Sequence, residues 1–175
     1  MLSDQSQFVD ALAQLLQTLC HHESSLANLF AVRRLDGQIE TVAVDCEQVG
    51  PASAGADIST LVFGTMRRCE FDAERATELD ETVFTGYVAG LREAGWQGRV
   101  EEIRLGFTSA VGLRWTVLAG ILQGLVEGAP QVQRPSQGWQ VAPEAVVRQY
   151  VRLSGYLLDR ADEAHSLLAD MPSSH

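Results

Sequence analysis

The sequence predicts an α+β fold, mainly α, with one small β-hairpin and about five helices in a single domain over residues 1–175. Three observations predict it. A chain of 175 residues that is 46% hydrophobic can bury one sizeable core without dividing into two. Apolar residues recur at three- and four-residue spacing along most of its length, as helices with one buried face require. A paired set of β-branched and apolar runs occurs in one place, on either side of Asp36-Gly37, a turn dipeptide that favours a hairpin.

Taken in order, Phe8, Leu12, Leu15, Leu16 and Leu19 lie at helical spacing behind Ser3 or Asp4, either of which can cap, so residues 5–19 are expected to form an amphipathic helix. The hairpin follows, from Leu29 to Arg34 and from Ile39 to Asp45. Beyond Gly50-Pro51 no further strand is expected. Asp57 to Cys69 reads as a helix, and Asp72 can cap a longer one running to Gly95, a natural stop. On that helix Leu79, Val83, Tyr87 and Leu91 fall every fourth residue and share one face. A third long helix is expected from about Val100 to Val126, then a polar loop from Gly128 to Ala142. Pro143 suits the first turn of a last helix, with Val146, Tyr150, Leu153 and Leu157 as its buried stripe.

The formal charge of −10 argues against a nucleic-acid partner, because phosphate backbones are bound by clustered cations. An acidic surface suits a cationic small-molecule acceptor such as an aminocyclitol, and equally serves solubility alone. Cys20, Cys46 and Cys69 form no C-x-x-C pair and leave an odd thiol, which fits a reducing, cytoplasmic setting. Zinc ligation by Cys20, His21, His22 and Cys46 is disfavoured, since three adjacent ligands rarely converge on one ion. Leu26 stands where a zincin motif beginning at His22-Glu23 would need histidine. No basic residue precedes the first apolar positions, so no signal peptide is expected. The stretch Leu105–Val126 carries one charge, Arg114. A central Arg costs about 2.5–3.5 kcal/mol on insertion scales, so a buried core helix is expected and no membrane partner.

The chemistry concentrates between Cys20 and Glu47, in the order His21-x-Glu23-x-x-x-x-Asn28, hairpin, Asp45. That order suits phosphoryl transfer, in which a carboxylate takes the acceptor hydroxyl's proton. An Asn five residues later and an Asp beyond a hairpin then hold the Mg2+ that bridges the nucleotide phosphates. Antiparallel pairing brings the two open ends of a hairpin together, so Asn28 and Asp45 are expected to be neighbours whatever their role. A carboxylate ending an apolar strand is costly to bury unless a partner such as a cation neutralises it.

The stretch from residue 15 to 60 resembles the catalytic segment of the aminoglycoside phosphotransferase and choline kinase-like family, which carries H-x-D-x-x-x-x-N and then a strand ending in an Asp. Thr18-Leu19-Cys20-His21, Asn28-Leu29-Phe30, Thr41-Val42-Ala43-Val44-Asp45 and Gly55-Ala56-Asp57 fall in the family's order. The resemblance implies a protein-kinase-like carboxy-terminal lobe, with residues 1–60 the catalytic segment and 61–175 the helical part. By the same resemblance the catalytic base is Glu23, the metal positions are Asn28 and Asp45, and the cofactors are Mg2+ and ATP. His21 then orients the loop, and Asp57 braces it through backbone amides, caps a helix, or does both. Glu47 follows Asp45 at the place of a family Glu and is assigned no separate role.

Two departures stand against the pattern. Glu23 occupies the family's Asp position, and all thirteen basic residues are Arg, so the Lys that holds nucleotide phosphates beneath a Gly-rich loop has no counterpart. Residues 1–22 offer no nucleotide lobe either. The expectation is a carboxy-terminal lobe that is a fragment, half of a split protein, or a truncated relative, and that self-associates or meets a separate nucleotide lobe through its uncovered hairpin. The rival expectation is a non-catalytic interaction module of the same fold. Whether the chain is an enzyme by itself stays open between the two.

Overall fold

The structure, a computed structural model, describes residues 5–127 and 141–171. It is α+β and mainly helical, with 63% helix against 12% strand. The elements are α1 (Gln5–Gln14), β1 (Gln17–Cys20), β2 (Leu29–Arg33), β3 (Ile39–Ala43), β4 (Gly50–Ser53), α2 (Ala56–Arg67), α3 (Ala76–Glu93), α4 (Val100–Leu113), α5 (Trp115–Val126) and α6 (Pro143–Ala169). Short 3-10 turns at Cys46–Gln48 and Ala73–Arg75 precede β4 and α3.

The first helix stops well short of residue 19. The Gln17 side chain turns back so that its Nε2 donates to the carbonyls of Leu12 (2.8 Å) and Leu15 (2.9 Å), supplying the partners that a helix end leaves unmet. The chain then extends as β1 and pairs antiparallel with β4, from Gln17 opposite Ser53 to Cys20 opposite Gly50. Both strands run against expectation, since helical spacing carried the helix through Leu19 and no strand was expected after Gly50-Pro51. The physical reason is that the leucine run spans two elements: Leu15 is buried, but Leu19 is largely exposed. Pro51 sits in a strand with one paired side only, where its missing N–H is tolerated.

The hairpin forms as expected, with Leu29 opposite Ala43 and Arg33 opposite Ile39. Gly37 takes the left-handed conformation (φ 85°) that the turn requires, and Asp36 Oδ1 accepts from the Gln38 N–H. Phe30, Val32 and Val42 remain exposed on it.

Helices α2, α4 and α6 enclose the main core, built from Val62, Phe63, Met66, Phe107, Val111, Leu153, Tyr150 and Leu157. Asp72 caps the turn into α3 by accepting from the Glu74 N–H, and the stripe Leu79, Val83 and Tyr87 packs against that core. Val146, Tyr150, Leu153 and Leu157 are all buried on α6, with Pro143 in its first turn. A smaller cluster joins Leu15 to Leu105 and Ala164, so α4 and α6 run beneath both. Gln149 stitches the middle: its amide accepts from the Ala73 N–H and donates to the carbonyls of Met66 and Phe71.

The single helix expected from Val100 to Val126 is two, broken at Arg114. The run Val100–Gly124 has the length and apolarity to cross a membrane, yet 44% of its most apolar stretch is buried within the fold. Ile103, Leu105, Phe107 and Val111 of α4 are fully enclosed, whereas on α5 Leu118 is buried and Val117 and Val126 are open. The expected central helix is therefore α4. The polar loop expected from Gly128 to Ala142 falls on residues 128–140, which lie outside the described residues.

Small residues bring α4 against the segment that feeds α2. A Cβ at Gly106 would stand 2.3 Å from the Ala54 carbonyl oxygen, and one at Gly55 would stand 2.3 Å from that of Ile103. Gly55 caps α2 with φ 92°. Glycine at both positions thus sets the height of the α2 N-terminus, and with it the position of Asp57.

Candidate functional site

β1 delivers the chain to a loop, residues 21–28, that runs over the N-terminal half of α2. Asp57 sits in the first turn of α2, whose N-cap is Gly55, and its Oδ1 accepts from the backbone N–H of His22 at 2.8 Å. Its own carbonyl accepts from the Ser24 hydroxyl at 2.7 Å. Of the two roles open to Asp57 from sequence, the carboxylate thus points to the loop rather than to the helix end. Thr60, one turn on, donates from Oγ1 to the His22 carbonyl at 3.0 Å. His22 takes a left-handed φ of 62°, a conformation uncommon outside glycine that needs such surrounding bonds to persist.

His21 ties the loop to the hairpin. Its Nε2 lies 2.8 Å from the Val44 carbonyl and its Nδ1 accepts from the Glu23 N–H at 3.3 Å. Both bonds are satisfied by one tautomer, with the proton on Nε2. Asn28 Nδ2 donates to the Glu23 carbonyl at 3.0 Å, while the Asn28 carbonyl accepts from the Val44 N–H at 3.0 Å. A continuous set of hydrogen bonds therefore gathers Glu23, Asn28 and the residue before Asp45. Pairing of the hairpin ends thus sets Asn28 against Val44, the residue before Asp45.

Glu23 and Asp45 differ in how they are held. Asp45 is exposed, has φ 64° and makes no capping bond to the turn that follows it. Glu23 is exposed as well, but its backbone is fixed from both sides by the bonds to His21 and Asn28. No cluster of three or more His, Cys, Asp or Glu side chains able to hold a metal occurs among the described residues. Cys20 and Cys46 remain free thiols. Cys20 is buried behind the loop, and burial, with the Asp57 charge adding to it, pushes its thiol up to about 11. It is an inert packing thiol there, since a nucleophilic cysteine needs an accessible thiolate. The Tyr87 hydroxyl accepts from the Gly55 N–H at 3.3 Å, a further tie on the segment that carries Asp57; burial raises this phenol as well.

A cationic neighbourhood on the same face of α2 was not anticipated. Arg114, at the break between α4 and α5, donates from Nη2 to Thr60 Oγ1 at 2.9 Å and lies over the Phe63 ring, 5.9 Å from its centroid. Burial, and Arg67 beside it, hold its guanidinium below the ordinary value. Arg68 donates to the Ser25 hydroxyl and pairs with Glu70. The available sequence signal was the spacing of Thr60, Gly64 and Arg67, which share one helical face, together with the one charge in an apolar run.

Comparison with models of protein families, with characterised proteins and with solved structures finds no match to this chain.

Proposed function

We propose that this chain is the catalytic and acceptor-binding lobe of an ATP-dependent phosphotransferase acting on a small-molecule hydroxyl, with a protein-kinase-like carboxy-terminal architecture. The observation that carries the reading is the brace from Asp57 to the His22 amide, joined to the bonds that gather Glu23, Asn28 and the Val44-Asp45 peptide. A phosphoryl-transfer site depends on positioning far more than on covalent chemistry, and a loop fixed at His21, His22, Ser24 and Asn28 supplies position.

In this reading Glu23, on the loop over α2, accepts the proton of the acceptor hydroxyl as it attacks in line. Asn28 and Asp45 would hold Mg2+, which when bound neutralises charge on the nucleotide phosphates. The donor set fits that ion: hard oxygens, an exposed carboxylate, and no thiol or imidazole required. His21 and Asp57 act as positioning residues. Nucleotide affinity of the chain alone is expected to be weak, because it offers no Lys to hold the phosphates. A nucleotide lobe supplied in fusion or in trans completes the site.

The second reading, a non-catalytic interaction module, is favoured by the exposed apolar residues of the hairpin and by Glu in place of Asp at position 23. Single-turnover transfer of labelled γ-phosphate, at saturating nucleotide and with the chain fused to a related nucleotide lobe, separates them. Glu and Asp have similar reference pKa values, about 4.3 and 3.9, so Glu23→Asp chiefly changes reach. A displacement of about 1 Å costs on the order of a hundredfold. Glu23→Asp is expected to be faster than the parent and Glu23→Ala slower than both. Equal rates for all three, with Mg-ATP bound, would remove Glu23 from the chemistry and leave the interaction module.

A further inference from the structure

Two residues one turn apart on α2 grip the same loop residue from opposite sides. Asp57 Oδ1 accepts from the His22 N–H at 2.8 Å, and Thr60 Oγ1 donates to the His22 carbonyl at 3.0 Å. Asp57 and Thr60 are three residues apart in one helix and so project from one face. The N–H belongs to the peptide before His22 and the carbonyl to the peptide after it. Holding both planar peptides fixes the two dihedral angles between them, and they are fixed in the left-handed region, with φ 62°. For a residue other than glycine that conformation is uphill. Released from its bonds, the His22–Glu23 peptide would turn away and take the Glu23 side chain with it.

Thr60 is itself held. A hydroxyl donates one hydrogen and accepts through its lone pairs, and Arg114 Nη2 donates to Thr60 Oγ1 at 2.9 Å. A hydroxyl that accepts from a cation becomes a stronger donor, so the guanidinium tightens the bond to the His22 carbonyl and fixes the direction of the hydroxyl hydrogen. Arg114 reaches out from an anchored backbone at the α4–α5 break. Its N–H donates to the Val111 carbonyl at 3.0 Å, and its own carbonyl accepts from the N–H groups of Val117 and Leu118, both at 3.1 Å. Val111 and Leu118 are enclosed in the main core, and the guanidinium lies over the core ring of Phe63. A line of hydrogen bonds therefore runs from the helical core, through Arg114 and Thr60, to the peptide that carries the Glu23 N–H. That N–H donates in turn to His21 Nδ1.

We propose that Arg114 is a positioning residue for Glu23, acting through Thr60 to lock the His22–Glu23 peptide in its left-handed setting. The role of Glu23 as base rests on the phosphotransferase reading, whereas the lock is testable without it. The lock is polarised along its length: the Asp57 carboxylate takes the N–H at one side of His22, and the hydroxyl backed by the Arg114 cation takes the carbonyl at the other. An arginine whose work was to pin α4 against α2 would loosen the core when removed. One that works as a lock loosens the loop and leaves the core as it was.

Amide exchange in the full chain, without nucleotide, reads the lock at the His22 N–H. Arg114→Gln is expected to speed exchange there about fivefold or more, and Thr60→Val at least as much, while the amides of α4 keep their parent rates. Thr60→Ser retains the hydroxyl and should stay within about twofold of the parent. Because Arg114 acts through Thr60, the double variant Arg114→Gln with Thr60→Val should exchange no more than about twofold faster than Thr60→Val alone. Should Arg114→Gln fail to fold, Arg114→Lys takes its place, with an increase of about twofold to fivefold expected from a point charge. Unchanged exchange at His22, equal acceleration throughout α4, or effects of Arg114 and Thr60 that simply multiply would overturn the lock. In the chain fused to a related nucleotide lobe, the single-turnover rate constant of Arg114→Gln at saturating Mg-ATP should fall about tenfold or more. That constant does not depend on the fraction of folded protein, and an unaltered value in a chain whose loop has loosened removes Arg114 from the positioning of Glu23. Transfer by the parent, with His22 exchange indifferent to Arg114→Gln, defeats this inference and leaves the phosphotransferase reading intact. A loop loosened by Arg114→Gln in a fusion that binds Mg-ATP and transfers nothing keeps the lock and defeats that reading.

Discussion

Among the described residues Asp80 is the most heavily loaded side chain, and replacing it with Asn should destabilise the protein by about 3 kcal/mol. It lies on α3 with no solvent exposure, and its two oxygens accept from both terminal nitrogens of Arg104, from Nη1 of Arg160 and from the Tyr156 hydroxyl. Burial and the Asp80 charge push that phenol far above its ordinary range. Burial alone would lower Arg104, but its bonds to Glu163 and Asp80 raise it instead. The four ionised groups balance, two guanidiniums against Asp80 and Glu163. Asn keeps the shape but removes one charge and turns an NH2 toward groups that are themselves donors. Removing one partner of a buried pair costs about 3–5 kcal/mol. The guanidiniums are 18% exposed and Glu163 remains beside them, which places the loss at the lower end. Against a domain stability of roughly 5–15 kcal/mol that is a large fraction, and at about 2–4 °C per kcal/mol for a chain of this size it lowers Tm by about 6–12 °C. Urea unfolding followed by circular dichroism measures it. Glu163→Gln is the control: its side chain is 30% exposed, and about 1 kcal/mol is expected with screening. A loss below about 1 kcal/mol for Asp80→Asn, or one no larger than that of Glu163→Gln, would refute the argument that burial makes this carboxylate the network's keystone.

Other expectations follow from the same geometry. Ala in place of Gly106 should lower stability by about 2 kcal/mol, since a new methyl group 2.3 Å from the Ala54 oxygen must push α4 off the α2 turn. Gly90→Ala on α3, with nothing within 4 Å, should raise it by about 0.5–1 kcal/mol; the same sign for both in thermal melts would contradict the packing. Light scattering over a concentration series should show association or a bound partner at the hairpin, abolished by Phe30→Glu with Val42→Glu, and a clean monomer that binds no apolar dye would tell against it. Cys20 titrates higher in the fold, at about 11, than its reference of 9.0, so the neutral thiol is the favoured form. Its contribution is complete below the reference value of 9.0 and is lost as pH rises through about 11. Tyr150, pushed by burial from 10.0 up to about 12, adds a further decline above pH 10.0. A Cys20→Ala variant should flatten the first of these slopes, and an unchanged slope would mean that another group is responsible.

The fold was legible where one face of one element carries the signal. The stripe Val146, Tyr150, Leu153 and Leu157 is periodic and each member is buried, and Asp36-Gly37 marks a turn by its own backbone chemistry. What escaped was decided by distant partners. The four-residue β1 has no strand pattern of its own and exists because Gly50–Ser53 returns to pair with it. Leu19, apolar and at helical spacing, counted for a helix it does not join. At the site, Glu23, Asn28 and Asp45 could be set in order from spacing alone, whereas Arg114 was weighed only as an obstacle to membrane insertion. Its neighbours, Thr60 and Arg67, lie far away in sequence, and no local pattern links them.

The pairing of β1 with β4 gives residues 21–49 an unusual status. Cys20 and Gly50 stand opposite each other, so everything between them, the loop, the hairpin and Asp45, leaves and rejoins the fold through one narrow neck. The hairpin strands bury almost nothing, and the excursion is fastened to the helices chiefly by the contacts of His22, Ser24 and Ser25 with α2 and Arg68. Such a segment can open as a unit while the helical core stays shut, and its amide protons should exchange with deuterium together and much earlier than those of α4 or α6. It also makes the segment a removable cassette: residues 21–49 can be exchanged for another loop and hairpin between the same two strands without touching the side chains of the main core.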